Sequence, residues 1–515
     1  MTRYKGRSAG TMSRTIEMGD FSGGLNLASG PLSPKYLIDC LDCDFARAIK
    51  TRYGWDYLTS ASTTYTQVEP FQKTDGTKYL LAARSGNTDA ISSGGAVSYT
   101  VAKTFTDSVM FGTPGSETAY LANGSDTVFK FDGSAFSAPG AAMPKARYLC
   151  VQQPDNRLVA CGFDTGAYGP GGSTVNGSHV HFSDERAPET WTANSNIQLT
   201  PGDGEKVQGC CAWRNLVFIF KQTKFFVISA TQTDEDGNPD WPREPRIGAG
   251  LVAPQAYAVA PEGVYFLDHD GIYLTNGGNA AKISTGLDPI FANSAPDFFS
   301  SGIVTQANLS NASAAYWQGK VYFSLPMDGG TTNNRILVFD TVLKNWSIYS
   351  IPAASVCVWT VSSAPELVFA HAAAKIGRHN TGADDDAGTP IPSFARTPWF
   401  ELPDQESVRQ VILWGSGRIT TSAAVDYSTT DGIGVTVDVS RNSDLWADGS
   451  DSTDTWGDGT SAADIWSPHT TYSRAVFRGL AARGTAFSFT FQGGGTAPLA
   501  IQKATAYLLG GRRPG

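Results

Sequence analysis

The residues with the strongest chemical character are Asp268, His269 and Asp270, at the centre of the stretch GVYFLDHDGIYLTNGG. An acid–histidine–acid run carries the groups needed for proton transfer or for metal binding. The apolar segments on either side are typical of two strands, however, and a short polar turn ending in Gly is typical of a hairpin. In that interpretation the aspartates accept backbone hydrogen bonds and Gly271 adopts a positive φ. The corner recurs as FDG at 131–133 without a histidine, so we predict a structural turn.

Cys40 and Cys43 have the C-x-x-C spacing of half a zinc site. A structural zinc site needs four ligands, and the sequence offers no second C-x-x-C or H-x₃-H pair. We therefore interpret these residues as two thiols on a helical turn or strand. The seven cysteines form an odd, sparse set in mostly apolar surroundings, which indicates free packed thiols and a reducing compartment.

The loop TDEDGNPDW places oxygen ligands at alternate positions, namely Asp234, Asp236, Asn238 and Asp240. This spacing, with a glycine that tightens the loop, suits Ca²⁺. The bidentate Glu that an EF-hand loop adds further on is missing, and the loop follows a strand. We favour a solvated acidic loop, so the four residues are a calcium candidate only, and no cofactor is predicted.

His181 lies near three acids, Asp184, Glu185 and Glu189, in the phrase HVHFSDERAPETW. A glycosidase needs two carboxyl groups that face each other across a cleft. These acids instead lie in a Pro-containing loop, where solvation is the default. The chain also lacks the nucleophile-elbow, P-loop and dinucleotide-binding motifs. We predict no catalytic residues and a protein that is not an enzyme.

Trp446, Trp456 and Trp466 recur at intervals of ten in one long polar loop. Indole rings beside carboxylates can stack on a sugar. They can equally pack over the domain or into a partner subunit, which is the interpretation we favour.

Short β-strands are predicted to carry these residues. The chain has 55 Gly and 27 Pro, only 17% charged residues, and many short apolar segments between polar turns, which is typical of an all-β protein. From about residue 65 to 385 the turns that open successive units, near Asn156, Asn215, Gly263 and Gly319, are 59, 48 and 56 residues apart. Four strands in each such unit indicate a β-propeller, in which radial packing buries both faces of each sheet. We predict six to eight blades.

The predicted domain organisation has three parts. Residues 1–19 are polar and basic and form an extended N-terminal arm. Residues 20–385 form the propeller, in which 20–60 is an entry and closing segment. Residues 386–515 alternate apolar and polar side chains, which predicts a C-terminal β-sandwich.

The formal net charge is −9. An acidic chain is a poor candidate for gripping nucleic acid, because phosphate affinity comes from Lys and Arg. This charge is still compatible with a surface past which DNA moves without sticking. The N-terminus has no secretory pattern, and no run approaches the roughly 18 apolar residues of a membrane helix. We expect a protein made in the cytoplasm that does not span a membrane.

Several phrases resemble β-propeller tail proteins of bacteriophages. FSGGLN at 21–26 followed by RYGW at 52–55 resembles their opening, and HFSDERAPETWT resembles their phrase Ser-Asp-x-x-x-Pro-x-x-Trp. FKQTKFFVISA, with the later GLVAPQAYAVAPEGVYFLDHDGIYLTNGG, resembles the middle blades, and VFRGLAARGTAFSFTFQ resembles part of the C-terminal β-domain. The likeness runs from about residue 20 to the end. The nearest functional class is the tail nozzle or hub protein of short-tailed phages, also called the packaged-DNA stabilisation protein.

The resemblance implies a structural protein of the virion tail, assembled in the bacterial cytoplasm as a homohexameric ring. The ring would lie below the portal and its adaptor protein, retain packaged DNA, and carry fibres or spikes outside. Genomic double-stranded DNA would leave through it without sequence-specific binding. Two alternatives stay open: a peripheral or baseplate minor tail protein of a long-tailed phage, and a carbohydrate-binding or glycoside-cleaving propeller.

Overall fold

The computed structural model shows an all-β protein in which a seven-bladed propeller is joined to a second, nearly closed sheet. It describes residues 13–28, 33–45, 48–59, 62–140, 143–164, 166, 175–235, 239–379, 384–428, 432, 434–439, 473–478, 480, 482–493 and 498–510. The predicted fold class is confirmed, and the seven blades of the described residues fall within the predicted range.

Each of the first six blades is a four-stranded antiparallel sheet, and first strands of neighbouring blades lie side by side around the axis. The first three blades comprise Tyr65–Gln72, Lys78–Arg84, Asn87–Ile91 and Val97–Val101; Asp107–Phe111, Thr118–Ala122, Phe129–Phe131 and Phe136–Ser137; and Tyr148–Gln152, Arg157–Cys161, His179–Asp184 and Ala187–Gln198. The next three comprise Gly209–Trp213, Leu216–Phe220, Lys224–Ile228 and Arg243–Ile247; Tyr257–Ala260, Gly263–Asp268, Gly271–Thr275 and Ala281–Lys282; and Ser313–Trp317, Lys320–Leu325, Arg335–Asp340 and Asn345–Tyr349.

The second strand of a blade is the most apolar because a neighbouring blade covers each of its faces. Val217–Phe220 and Val264–Leu267 are buried at every position, in place of the alternation expected when one face meets water. Burying a side chain of this size contributes roughly 1.5–3 kcal/mol to stability. The stacked blades therefore supply most of the core.

The seventh blade is completed by a strand from the other end of the chain. Its inner strands are Ala353–Thr360, Pro365–His371 and Lys375–His379, and Trp55–Tyr57 pairs antiparallel with the last of these. Asp385–Asp386 and Thr389–Pro390 extend the outer edge. This pairing closes the ring, because the segment that leads into the first blade is itself a strand of the seventh blade.

The second domain is a ten-stranded sheet that takes strands from both ends of the chain. Its longest strand, Phe400–Val425, pairs with Arg483–Gly493 and Ala500–Gly510. The remaining strands are Ser13–Met18, Asp39–Leu41, Cys43–Phe45, Ile49–Thr51, Phe394–Arg396, Val435–Val439 and Ser473–Arg478.

The strand pairing does not follow the domain boundaries drawn from the sequence. Ser13–Met18, in the segment predicted as an extended arm, pairs with Ala504–Leu509. Residues 39–51, predicted to belong to the propeller, pair within the C-terminal sheet. The N-terminal segment therefore contributes strands to the C-terminal sheet first and to the seventh blade afterwards. In both places its partner strands lie hundreds of residues away in the sequence.

The small remaining elements lie between larger ones. Gly24–Leu25 pairs parallel with Tyr36–Leu37, and Gln232–Thr233 pairs antiparallel with Pro239–Asp240. The connection between the fifth and sixth blades contains the short helices Thr285–Leu287, Asp288–Phe291 and Gln306–Asn311.

Candidate functional site

The Asp-His-Asp run is the turn between the second and third strands of the fifth blade. Asp268 Oδ2 accepts a hydrogen bond from the Gly250 amide at 2.9 Å, and Oδ1 accepts one from the His269 amide at 2.6 Å. Asp270 accepts from the Tyr273 hydroxyl at 2.9 Å. Burial raises the pKa of Asp268. The carboxylates therefore hold backbone and blade together, as the hairpin interpretation predicted.

Cys40 and Cys43 lie in the core of the C-terminal sheet, and all seven cysteines are buried and unpaired. The Cys43 thiol donates to the backbone oxygens of Leu41 and Phe394, each at 3.3 Å. Burial raises the pKa of both thiols well above the usual range, so they stay protonated at neutral pH. A protonated thiol is a poor metal ligand and a weak nucleophile.

The calcium candidate lies partly outside the described residues, which omit Asp236 and Asn238. Asp234 is exposed, and Asp240 lies 3.7 Å from the Arg243 guanidinium. In the described part of the chain no group of three or more His, Cys, Asp and Glu side chains could hold a metal ion.

The acids around His181 point to different neighbours. Glu189 accepts hydrogen bonds from Lys130 Nζ at 2.6 Å and from the Tyr120 hydroxyl at 3.0 Å, both on the second blade. Burial would raise the pKa of Glu189, but these contacts outweigh it and lower the pKa. Glu185 is exposed and 3.7 Å from its neighbour Arg186. This set links two blades and does not form a facing acid pair.

His181 itself is buried, with its ring 5.2 Å from that of Phe163. Neither ring nitrogen has a hydrogen-bond partner in the described part of the protein. Burial, with the nearby His179, lowers the pKa of His181 to about 4. The side chain is therefore a neutral packing group at neutral pH. The three tryptophans Trp446, Trp456 and Trp466 lie outside the described residues.

Two carboxylates that the sequence analysis did not single out lie at the propeller axis. Glu69 and Asp107, on the first strands of the first and second blades, line a cavity of about 360 Å³. Glu69 Oε1 accepts from Gln255 Nε2 at 3.2 Å, and Asp107 Oδ2 accepts from the Leu149 amide at 2.8 Å. Glu69 lies within Tyr65–Gln72 and Asp107 begins Asp107–Phe111, so an acid on the first strand of a blade is the signal that could have revealed them.

The axial acids hold protons near neutral pH. Burial raises the pKa of Asp107 to about 7. Burial and the nearby Asp107 charge raise the pKa of Glu69 to about 8. The pair can bind and release a proton in the physiological range, which is the clearest chemical capacity among the described side chains.

A buried ion cluster joins the C-terminal sheet to the closing edge of the propeller. The side chain of Arg52 is fully buried; its Nε donates to Asp42 at 2.6 Å, and its two terminal nitrogens donate to Asp386 at 2.7 and 2.6 Å. Burial alone would lower the pKa of Arg52, but the two carboxylates outweigh it and raise the pKa. Asp42 belongs to the C-terminal sheet region and Asp386 to the seventh blade, so one cation connects both domains.

Among the described residues, no helix is long and apolar enough to cross a membrane.

No protein-family model and no curated protein matches the chain. Among solved structures it is similar to BBS1N, crystallised in complex with ARL6, at 11% identity and a TM-score of 0.40, covering 64% of this chain and 98% of that one. The Pan2 WD40 domain of Neurospora crassa is 7% identical with a TM-score of 0.38, covering 66% and 97%. PorZ, a surface component of the type-IX secretion system of Porphyromonas gingivalis, is 12% identical with a TM-score of 0.34, covering 64% and 39%. The propeller assignment itself rests on the strand pairing of the seven blades, six of them four-stranded sheets and the seventh part of a six-stranded sheet.

Proposed function

We propose that this chain is a structural protein of a bacteriophage tail, a nozzle or hub subunit that assembles into a homohexameric ring. The ring surrounds the distal exit channel for packaged DNA, below the portal and its adaptor, and carries fibres or spikes outside. It works through shape and assembly and has no catalytic step.

The observation that carries this proposal is the placement of the phrases that resemble tail proteins. In FSGGLN, Phe21 is buried and Gly24 has a φ of 62°, beside the backbone of Trp346 on the sixth blade. In RYGW, Arg52 forms the buried ion cluster, and a side chain on Gly54 would overlap the backbone of residue 385. These phrases therefore fasten the two domains together. A rigid joint of this kind suits a ring that withstands internal pressure.

The charge of the chain supports the same role. An excess of acids repels phosphate, so a lumen of this character lets DNA slide instead of binding it. A density map with a lumen rich in Lys and Arg would contradict this part of the proposal.

The test is the assembly state of the full chain. We expect native mass spectrometry and negative-stain electron microscopy to show six-subunit rings, and a Glu69→Gln variant to form the same rings, because the axial cavity lies inside each subunit. Immunogold labelling of virions should then mark the distal tail. A monomer at all concentrations, with and without the portal–adaptor complex, would refute the hexamer. Labelling at the baseplate of a long-tailed virion would support the first alternative.

A further inference from the structure

An open groove of about 910 Å³ lies beside the joint between the two domains. One wall comes from the connection between the fifth and sixth blades, including Asp288, Pro289 and Phe298. The other comes from the C-terminal domain, including Trp399 and Tyr427. Grooves of this size between packed domains are common sites for ligands.

The aromatic wall of the groove presents a ring surface to solvent. The rings of Trp399 and Tyr427 have centroids 4.8 Å apart and are tilted by 40°. Tyr427 is 55% exposed, which is unusual for a large side chain with an aromatic neighbour. Its hydroxyl donates a hydrogen bond to Glu401. The pair therefore forms a fixed aromatic surface with a carboxylate at its edge.

The backbone beneath Tyr427 is held in a demanding conformation. Asp426 and Tyr427 have φ values of 48° and 63°, which non-glycine residues seldom adopt in succession. Asp426 Oδ1 accepts hydrogen bonds from the Thr485 amide at 2.7 Å and the Ala486 amide at 3.1 Å. These hydrogen bonds offset the free-energy cost of the two positive φ values and hold the backbone that carries the tyrosine ring. Because the ring is already positioned, a ligand would lose little binding free energy in ordering it.

The charge of the groove has one sign. The described residues that line it include two acids, Asp288 and Glu401, and no Lys or Arg. Asp288 already meets Lys282 Nζ at 2.9 Å, whereas Glu401 accepts its hydrogen bond from the neutral Tyr427 hydroxyl. A ligand with a positive side chain near Glu401 would gain from both the carboxylate and the aromatic faces.

We propose that this groove binds an extended, proline-containing segment of a partner protein that carries an Arg or Lys. The aromatic side chains of Phe298, Trp399 and Tyr427 line the groove, and grooves lined by aromatic rings are the surfaces that polyproline II segments pack against. Glu401 then selects a basic residue. The inference does not depend on the ring proposed above, since a monomer would contain the same groove.

The test uses the full chain and a fluorescein-labelled ten-residue peptide of Pro and Ala with two Arg. We expect saturable binding by fluorescence anisotropy, and much weaker binding of the same peptide with Glu in place of each Arg. Trp399→Ala or Tyr427→Ala should weaken binding about tenfold, as expected for an aromatic anchor. Tyr53→Ala is the matched control, because Tyr53 is 54% exposed and does not line the groove.

Glu401→Gln keeps the side-chain size and should weaken binding about threefold while reducing its dependence on salt. The control for charge is Glu185→Gln, at an exposed acid elsewhere. If Trp399→Ala fails to fold, Glu401→Gln still decides the outcome. Equal binding of the Arg and Glu peptides, or unchanged binding by all groove variants, would overturn the proposal. Binding of a soluble oligosaccharide without binding of the peptide would overturn it too.

Discussion

The carboxylates of the joint and the half-buried carboxylates of the propeller axis meet different electrostatic surroundings. At the joint, Asp42 and Asp386 share the guanidinium of Arg52 at 2.6 Å each. At the axis, Glu69 accepts a hydrogen bond from the neutral Gln255 side chain and Asp107 accepts one from the Leu149 amide, and burial raises the pKa of both acids. The joint therefore pairs its carboxylates with a cation and links two domains, whereas burial at the axis favours the protonated, neutral form of the acids.

The difference shows how one acidic chain uses buried acids in two ways. A compensated cluster resists change, because removing any member leaves a buried charge without a partner. The two axial acids have no such cation among the described contacts, so their protonation changes with pH instead. The first property suits a mechanical connection, and the second makes the axis the part of the protein most sensitive to alkaline conditions.

The largest expected effect comes from breaking the joint. Arg52→Ala leaves Asp42 and Asp386 buried without their cation, so we expect a loss of about 3–5 kcal/mol in the free energy of unfolding. Urea denaturation followed by circular dichroism measures it. Arg186→Ala, at an arginine whose side chain is 77% exposed, should change stability by less than about 0.5 kcal/mol. Equal effects of the two variants would show that the cluster is not a joint.

A second test separates the axial acids from the buried histidines by the sign of their pH dependence. The pKa of folded His181 is lowered to about 4, so the unfolded chain binds more protons below pH 6.5. We expect stability to fall by a few kcal/mol as the pH falls from 6.5 to 4. His181→Phe, which keeps a buried ring, should reduce this slope. An unchanged slope would mean that His181 is not responsible.

The axis should show the opposite trend. The pKa of Glu69 is raised to about 8, so its contribution to stability is complete below the unfolded value near 4.5 and is lost as the pH rises through 8. Glu69→Gln mimics the protonated acid and should stabilise the protein at pH 9 by about 1 kcal/mol, with little effect at pH 5. Thermal unfolding at both pH values measures this. A destabilised variant at pH 9 would place an unseen cation at the axis.

The smallest effect is expected at the hairpin turn. Asp270 is exposed and contacts Lys282 at 3.2 Å, so Asp270→Asn should cost less than about 1 kcal/mol. Asp268→Asn keeps an oxygen that can accept from Gly250 and should leave folding and assembly nearly intact. Sedimentation velocity and thermal unfolding check both. Loss of a biological activity with the fold preserved would revive a catalytic role for the turn.

The predictions from sequence succeeded where a pattern depends on neighbouring residues. The hairpin around Asp268 and the repeated four-stranded units follow from alternation and turn chemistry over a few residues. The pairing between the two ends of the chain was not predicted, because it depends on distant partners. Nothing near Ser13–Met18 indicates that it pairs with residues 504–509.

The candidate sites also separate into those formed by neighbouring residues and those formed by residues distant in the sequence. At Cys40 and Cys43 the sequence indicated two packed thiols, and both are buried. Near His181 it indicated solvated acids, whereas Glu189 accepts hydrogen bonds from Lys130 and Tyr120 of the neighbouring blade. Glu69 and Asp107 lie 38 positions apart in the sequence, and only the radial arrangement of the blades brings them to one cavity. The groove likewise combines residues from two domains.

An all-β chain of repeated, acidic blades follows from the amino-acid sequence, because strand alternation, turn residues and charge are properties of short segments. Which end closes the ring, which acids pair with Arg52, and which lie at the axis without a cation among the described contacts became visible only in the folded protein. Those outcomes depend on burial and on contacts between residues hundreds of positions apart, and neither quantity is defined until the chain has folded.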